Sequence, residues 1–431
     1  MINWHNRGLT RFCAEHPMSD HDATNDTPQP YESNRYAALV LNLGRALLHV
    51  GSPAHRLEAA MQIMATRLGL TAEFFSTPTA LIVSLGDGER QRTFLARSEP
   101  GSTDLAKLAD LTEVMEELAS GKLAPEQADE RVRAIDQAPP IYGYWRQLLG
   151  FITLSGGIAP LIGGGWRETV LALMLGSLTG LMVLWLKRHL ERSRLASPLA
   201  ASVITFLGML WCGFDPATAL VPAVIASIIA LVPGMDLTTA SRELATGHLV
   251  SGASRMAFAL TVFALLALGL ILGGLAGQWL IGPVALIDAS PGPTWLPALG
   301  VLLAALGLML LNQAHTRDWV WILLACLIAY AAARLGLVIG APVVGAFAGA
   351  LAVGLAGNLF SAISGRPGSI MHLPGLILLV PGSIGLRGLA TLVSGDVVTG
   401  LETAATAGMI AVALTTGIIL ASVLLPPRTS L

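Results

Sequence analysis

The sequence predicts an α-helical polytopic membrane protein with ten transmembrane helices arranged as a 5+5 inverted repeat, preceded by a small soluble α+β domain. Three observations point there. Of 431 residues, 53% are hydrophobic and 13% charged, with a mean hydropathy of +0.65. Soluble proteins carry about 25% charged residues, so this chain must turn much of its surface to lipid. The polar residues crowd into the first 145 positions, and from 147 to 425 apolar runs follow one another with only short interruptions. Finally, one stretch occurs twice: Leu231-Val-Pro-Gly234, Leu244, Gly247, Val250 and Gly252 recur as Leu379-Val-Pro-Gly382, Leu392, Gly395, Val398 and Gly400, always 148 positions on. The Pro and three Gly among these identities shape backbone rather than fill space, which makes the match a duplication signal.

Taken in order, residues 1–31 are polar and without periodicity, as a disordered tail is. From Tyr36, the residues Leu39, Leu43, Leu47 and Val50 recur at helical spacing. Gly51-Ser-Pro53 breaks the pattern, and Leu57, Met61, Met64 and Leu68 resume it. Ser52 before Pro53 has the chemistry of an N-cap followed by Pro in the first turn. Ala72–Thr77, Thr79–Leu85 and Arg92–Arg97 read as strands, the last two joined through Gly86-Asp-Gly88, and helices follow at about 102–120 and 125–136. These elements make residues 32–140 an α+β domain ending near Pro139-Pro140. No apolar signal segment precedes it, so it is expected to stay cytoplasmic.

The membrane part divides into five-helix halves, 141–281 and 282–431. Its ten apolar spans lie at about 147–165, 168–187, 195–213, 216–234, 255–281, 294–313, 318–335, 338–360, 370–391 and 402–425, each approaching the roughly 20 residues a bilayer requires. With the first domain inside, the inner loops hold Arg146, Lys187, Arg188, Arg192, Arg194, Arg242, Arg255, Arg317, Arg366 and Arg428. The outer loops hold Arg167, Arg334 and Arg387. This bias places both termini in the cytoplasm. Five spans, an odd number, precede the second copy of the motif, so the halves run upside down relative to each other, as in many secondary transporters.

A Pro-Gly inside a membrane helix removes a donor and frees backbone groups that lipid cannot satisfy. Two such breaks near the midplane would make a polar site. The residues expected to bind substrate are Pro233, Gly234, Asp236, Thr238, Thr239, Arg242 and Glu243 at the first break, Pro381, Gly382, Ser383 and Arg387 at the second, and Asn358 in the Gly-rich eighth span. They supply anion sites, cation sites and small hydroxyls, the set that an amino acid needs. The alternative is that Pro233-Gly234 merely ends a span at the surface, with Arg242 and Glu243 solvated, and that Asn358 binds one helix to another. Asp215 reads as a cap and Arg167-Glu168 as a loop pair. Cys13, Cys212 and Cys326 stand singly, without ligand or disulfide spacing, so no metal, cofactor or disulfide is expected. A net charge of −2 with no basic block gives no nucleic-acid signal.

Two segments carry a family resemblance: Gly51-Ser-Pro-Ala-His-Arg56-Leu-Glu58 with Ser76-Thr-Pro78, and Val232-Pro-Gly-Met-Asp-Leu leading to Arg242-Glu243-Leu, Gly247, Gly252 and Arg255. The second half adds Val380-Pro-Gly-Ser-Ile-Gly-Leu-Arg387. In this order they resemble the threonine/serine exporter family across residues 36–425. The resemblance implies export of threonine and serine, driven by the proton motive force, through the inner (plasma) membrane of a bacterium. The expected partners are a small-molecule substrate, the bilayer, protons and further copies of the chain. Related two-subunit bacterial systems imply the alternative of a dicarboxylate (succinate) exporter. The family's association with a hydrolase-like first domain raises a membrane-bound hydrolase, but GxSxG and HExxH are absent, and His49, His55, Arg56 and Glu58 form the only polar cluster there. No enzymatic activity is expected.

Overall fold

The computed structural model describes residues 31–86, 91–98, 103–189, 195–285, 287–290, 292–339, 342–379, 382–393 and 397–426. The expected tail, apart from Tyr31, lies outside them, as do Asp87 and Gly88 of the expected hairpin. Val380 and Pro381 of the second motif are outside them too.

The first unit comprises α1 (Tyr31–His49), α2 (Ala54–Arg67), β1 (Ala72–Thr77), β2 (Ala80–Leu85), β3 (Arg92–Arg97), α3 (Leu105–Ala119) and α4 (Pro125–Gln137). The strands pair antiparallel in the order β1-β2-β3, with Ala72 opposite Leu85 and Leu85 opposite Arg92. The apolar positions that defined the helices meet in one core: Leu39, Leu43 and Leu47 from α1 and Leu57, Met61 and Met64 from α2 pack on Leu81 and Val83 of β2. Pro125 starts α4, where its missing N–H costs nothing.

Twelve helices follow among the described residues: α5 (Tyr144–Leu161), α6 (Trp166–His189), α7 (Ala196–Phe214), α8 (Leu220–Ile228) with a 3₁₀ turn at Ile229–Leu231 leading to α9 (Gly234–Ala245), and α10 (Leu249–Ile281). Then come α11 (Leu296–Leu311), α12 (Trp319–Val338), α13 (Pro342–Ser364), α14 (Ser369–Leu379) with α15 (Gly382–Val393), and α16 (Val397–Leu424). Among the described residues seven spans are long and apolar enough to cross a bilayer, and eight if α8 and α9, bent by 58° at their break, form one. The chain is therefore a polytopic helical membrane protein. The difference from ten lies in α5 and α11. Leu296–Leu311 is a shorter apolar helix, and α5 buries its Gly156-Gly157 and Pro160 inside the protein.

The motif's duplication reappears in the packing. Around the first copy the 3₁₀ turn ends at Leu231, α9 runs Gly234–Ala245 and α10 starts at Leu249, whereas residues 380–381 and 394–396 at the second copy lie outside the described residues. Packing pairs correspond: α10 on α7 and α16 on α13, α5 on α6 and α11 on α12, α10 on α15 and α16 on α9. The first helices of the two sets, α5 and α11, pack on each other, and they do so backbone to backbone. A Cβ on Gly157 would stand 2.7 Å from the Gly300 carbonyl oxygen, one on Gly300 2.8 Å from the Gly157 oxygen, and one on Gly307 2.6 Å from the Leu154 nitrogen.

Candidate functional site

The first break is a tight one. Gly234 N–H donates to Val232 O at 2.8 Å and Val232 N–H to Ile229 O at 3.1 Å, with Pro233 at φ −80° and ψ 45°. The α9 helix starts there, so the N–H groups of Met235 and Asp236 have no intrahelical acceptor. The other end closes on Gly247 at φ +86°, whose N–H donates to Leu244 O. Gly382 of the second motif lies against this break: a Cβ on it would come within 2.8 Å of Val232 Cγ1 and 4.0 Å of Gly234 Cα.

A cavity of about 370 Å³, within the range of small-molecule sites, lies beside α9. The helix turns Met235, Thr238, Thr239 and Arg242 towards it, a spacing of three, four and seven residues that stacks side chains on one face. Asp236 joins them. Opposite stand Ser369, His372 and Leu376 of α14 and Leu414 and Thr415 of α16, and the Gly51-Ser-Pro53 turn with Arg56 of the first unit closes the remaining side. Pro233, Gly234 and Gly382 line a second cavity of about 210 Å³, which shares Thr103, Ala230, Met235 and Asp236 with the first.

The first unit is bound to this region by charge. Glu243, wholly buried, accepts Ala54 N–H at 3.0 Å and Arg255 Nε–H at 3.2 Å. It thus satisfies an orphan donor at the start of α2 where a carboxylate is favoured. Arg255 also reaches Asp236 at 3.3 Å. Glu58 accepts Ser76 N–H at 2.7 Å and pairs with His248 at 3.2 Å. A second point of docking joins α3 to the loop after α11, through Leu105 N–H to Asn312 O at 2.9 Å and His315 to Asp110 at 3.1 Å.

His372 Nε2 faces the Gly354 carbonyl at 3.1 Å and therefore carries the proton, which leaves Nδ1 to accept from Arg56 Nη2 at 3.5 Å. Gly357 makes room for that ring, since a Cβ there would strike it. Burial lowers Arg56 to about 10, so it stays charged at neutral pH. Burial, with Arg242, Arg56, His248 and Arg255 nearby, lowers His55 to about 2 and holds it neutral.

The expected site residues fall into three groups. Asp236, Thr238, Thr239 and Arg242 converge on the larger cavity, Glu243 stands behind them, and Pro233, Gly234 and Gly382 line the adjoining one. Ser383 and Arg387 line neither; Arg387 Nη2 reaches the Ile162 carbonyl that ends α5, at 3.5 Å. Asn358 donates to Leu425 O at 2.8 Å and Ala421 O at 3.4 Å, tying α13 to the end of α16. Pro381 lies outside the described residues. Away from the cavity, Asp215 accepts from Arg167 and Thr218 in the turn before α8, and Glu168 accepts Gly165 and Ala219 N–H. Sequence reasoning missed His372, Ser369 and Thr415, read Ser52 only as a helix cap and placed Arg56 only in a polar cluster of the first unit. An ionisable His within an apolar run was the one local signal available.

These features define a polytopic membrane protein with a polar cavity at a helix break. Residues 38–276 match the threonine/serine exporter model ThrE, and residues 298–424 match a second model described as "Threonine/Serine exporter, ThrE". The chain belongs to the threonine/serine exporter family. It is 27% identical over 420 residues to the "Probable threonine/serine exporter" of Mycobacterium tuberculosis, covering 90% of this chain and 76% of that one. It is 26% identical over 368 residues to pheromone-regulated membrane protein 10 of Yarrowia lipolytica, and 25% over 384 residues to an uncharacterised Schizosaccharomyces pombe protein. These alignments cover 81% and 86% of this chain but only 30% and 45% of the fungal proteins. The chain thus spans less than half the length of these two relatives. No solved structure gives a significant match.

Proposed function

We propose that this chain exports threonine and serine, driven by the proton motive force, with the cavity beside α9 as the substrate site. The observation that carries the reading is Arg242: its buried Nε has no partner among the described residues, and it lines a cavity whose hydroxyls and single carboxylate suit the rest of an amino acid. Arg242 meets the substrate carboxylate, Asp236 the ammonium group, and Thr238, Thr239 and Thr415 the side-chain hydroxyl. Ten spans in two inverted halves are supported by the 148-residue repeat in the sequence and the paired packing; α5 and α11 complete the count. The Lys and Arg distribution supports a plasma-membrane protein with both termini in the cytoplasm. The first unit is read as a soluble domain that closes the inner mouth rather than as an enzyme, because His49 is engaged with Asp136 and Glu58 with His248 and Ser76.

The test is efflux from cells loaded with threonine- or serine-containing dipeptides, with and without the chain, and succinate as comparison. Faster efflux of either amino acid is expected; no difference for both would remove the reading. The dicarboxylate alternative is favoured by one observation, the lack of a carboxylate partner for both Arg56 and Arg242. Efflux of succinate alone would establish it.

A further inference from the structure

The charges around the larger cavity do not balance. Its two nearby carboxylates, Asp236 and Glu243, both serve Arg255. Glu58 is taken by His248 and the Ser76 N–H. Arg56 and Arg242, which line the same cavity from different parts of the chain, are left without a carboxylate among the described residues. Two guanidiniums sharing a buried space repel each other unless an anion lies between them. Their planar, forked donors suit a carboxylate held from two sides. Two hydroxyls on the cavity wall, Ser52 and Ser369, are 6% and 1% exposed, and neither Oγ has a partner. Each is a buried donor without an acceptor, a cost that a bound anion would remove.

We propose that Arg56 of the first unit and Arg242 of α9 jointly clamp the carboxylate of the transported molecule, with Ser52 and Ser369 donating to its oxygens. The first unit is then part of the substrate site and not only a lid over it. The hydrogen bond from Arg56 to His372 fixes the guanidinium at the cavity wall before substrate arrives. Substrate bound in this way bridges the first unit and the membrane helices, so docking of the one and occupancy of the other strengthen each other. This inference rests on the cavity being the transport site.

The test uses the purified full chain in lipid nanodiscs and calorimetric titration with L-threonine, L-serine, succinate and threoninol, which carries an alcohol in place of the carboxylate. R56Q and R242Q are each expected to weaken L-threonine binding about tenfold to a hundredfold, the effect of losing a charge-assisted hydrogen bond. R56K should recover part of the loss. Threoninol should bind wild type and R56Q equally, because Arg56 has no carboxylate to hold, and this equality separates a lost contact from an undocked or misfolded first unit. Wild-type threonine affinity in R56Q beside a loss in R242Q would overturn the clamp and leave the cavity reading intact. Equal losses for threonine and threoninol in R56Q would also overturn it. Binding of succinate alone, weakened by R56Q, would keep the clamp and retire the amino-acid reading, whereas no binding of any of the carboxylates would overturn both.

Discussion

Replacing Gly382 by Val tests whether the close approach of Gly382 to the break at Val232–Gly234 is what transport requires. A Cβ at Gly382 would stand 2.8 Å from Val232 Cγ1, whereas relaxed carbon pairs sit about 3.5–4.0 Å apart; the contact must open by roughly 1 Å. Val232 is β-branched and cannot swing its methyl aside freely, and its N–H is tied to Ile229 O at 3.1 Å. Alanine at 382 therefore pushes this segment away from the break at Val232–Gly234, and valine adds two further methyls. Overpacking of this kind costs about 1–3 kcal/mol, too little to prevent insertion of a chain with this much buried apolar surface but enough to displace the joint. The assay is threonine efflux from dipeptide-loaded cells, with membrane insertion and monodispersity measured in parallel. G382V is expected to insert normally and lose efflux, with G382A intermediate. V232A combined with G382A should restore efflux, because it removes the methyl that the new Cβ would meet. Wild-type efflux through correctly inserted G382V would refute the reasoning, and so would a failure of V232A to rescue.

Three further outcomes follow from the docking and cavity contacts. E243Q keeps the shape of the buried side chain but removes the charge facing Arg255, which retains Asp236; a loss of about 1.5–3 kcal/mol is expected, read as a lower Tm and faster proteolysis near Gly51–Pro53, and an unchanged Tm would contradict it. D236N should lower threonine and serine efflux at least about tenfold, the scale of one lost charge-assisted bond, while any succinate efflux persists; equal loss of both would show that Asp236 acts structurally. His55 gives a pH dependence of defined sign. Its folded value is depressed to about 2 from 6.5, so its stabilising contribution is fully present above 6.5 and is lost as pH falls below that value, where the unfolded chain takes a proton that the folded one refuses. The slope is about 1.4 kcal/mol per pH unit from this group. H55N should flatten the fall of Tm between pH 6.5 and 5, and an identical slope in H55N would exclude His55 as its source.

Much of the fold was legible because local chemistry sets it. The strands Ala72–Thr77 and Arg92–Arg97 stand where the β-branched and aromatic runs put them, and the Val-Pro-Gly break at 232–234 follows from a Pro and a Gly that cannot continue a helix. Asp236, Thr238, Thr239 and Arg242 were readable as site candidates because they follow the first Pro-Gly. What could not be read was which partner each polar group would find. Arg387 was attributed to the site because it follows the second Pro-Gly and Asn358 for its place in the Gly-rich eighth span, yet helix-end carbonyls accept from both of them. Arg56 and His372 lie 316 positions apart, and only packing of the first unit onto α14 brings them together. A span at 147–165 was expected where α5 runs Tyr144–Leu161, and one at 294–313 where α11 runs Leu296–Leu311. Apolarity marks burial as well as lipid, and these helices are buried in large part against each other.

The backbone seam between α5 and α11 inverts a common engineering rule. Exchanging a helical Gly for Ala ordinarily gains about 0.5–1 kcal/mol through propensity and a less entropic unfolded chain. At Gly157, Gly300 and Gly307 the added methyl would have to displace a main-chain atom of the facing helix, not the tip of a side chain. A stabilisation campaign that scans this protein for helical glycines should therefore exempt these three. Any gain it finds in the membrane part will come from helices whose glycines face open space, such as Gly274 or Gly408.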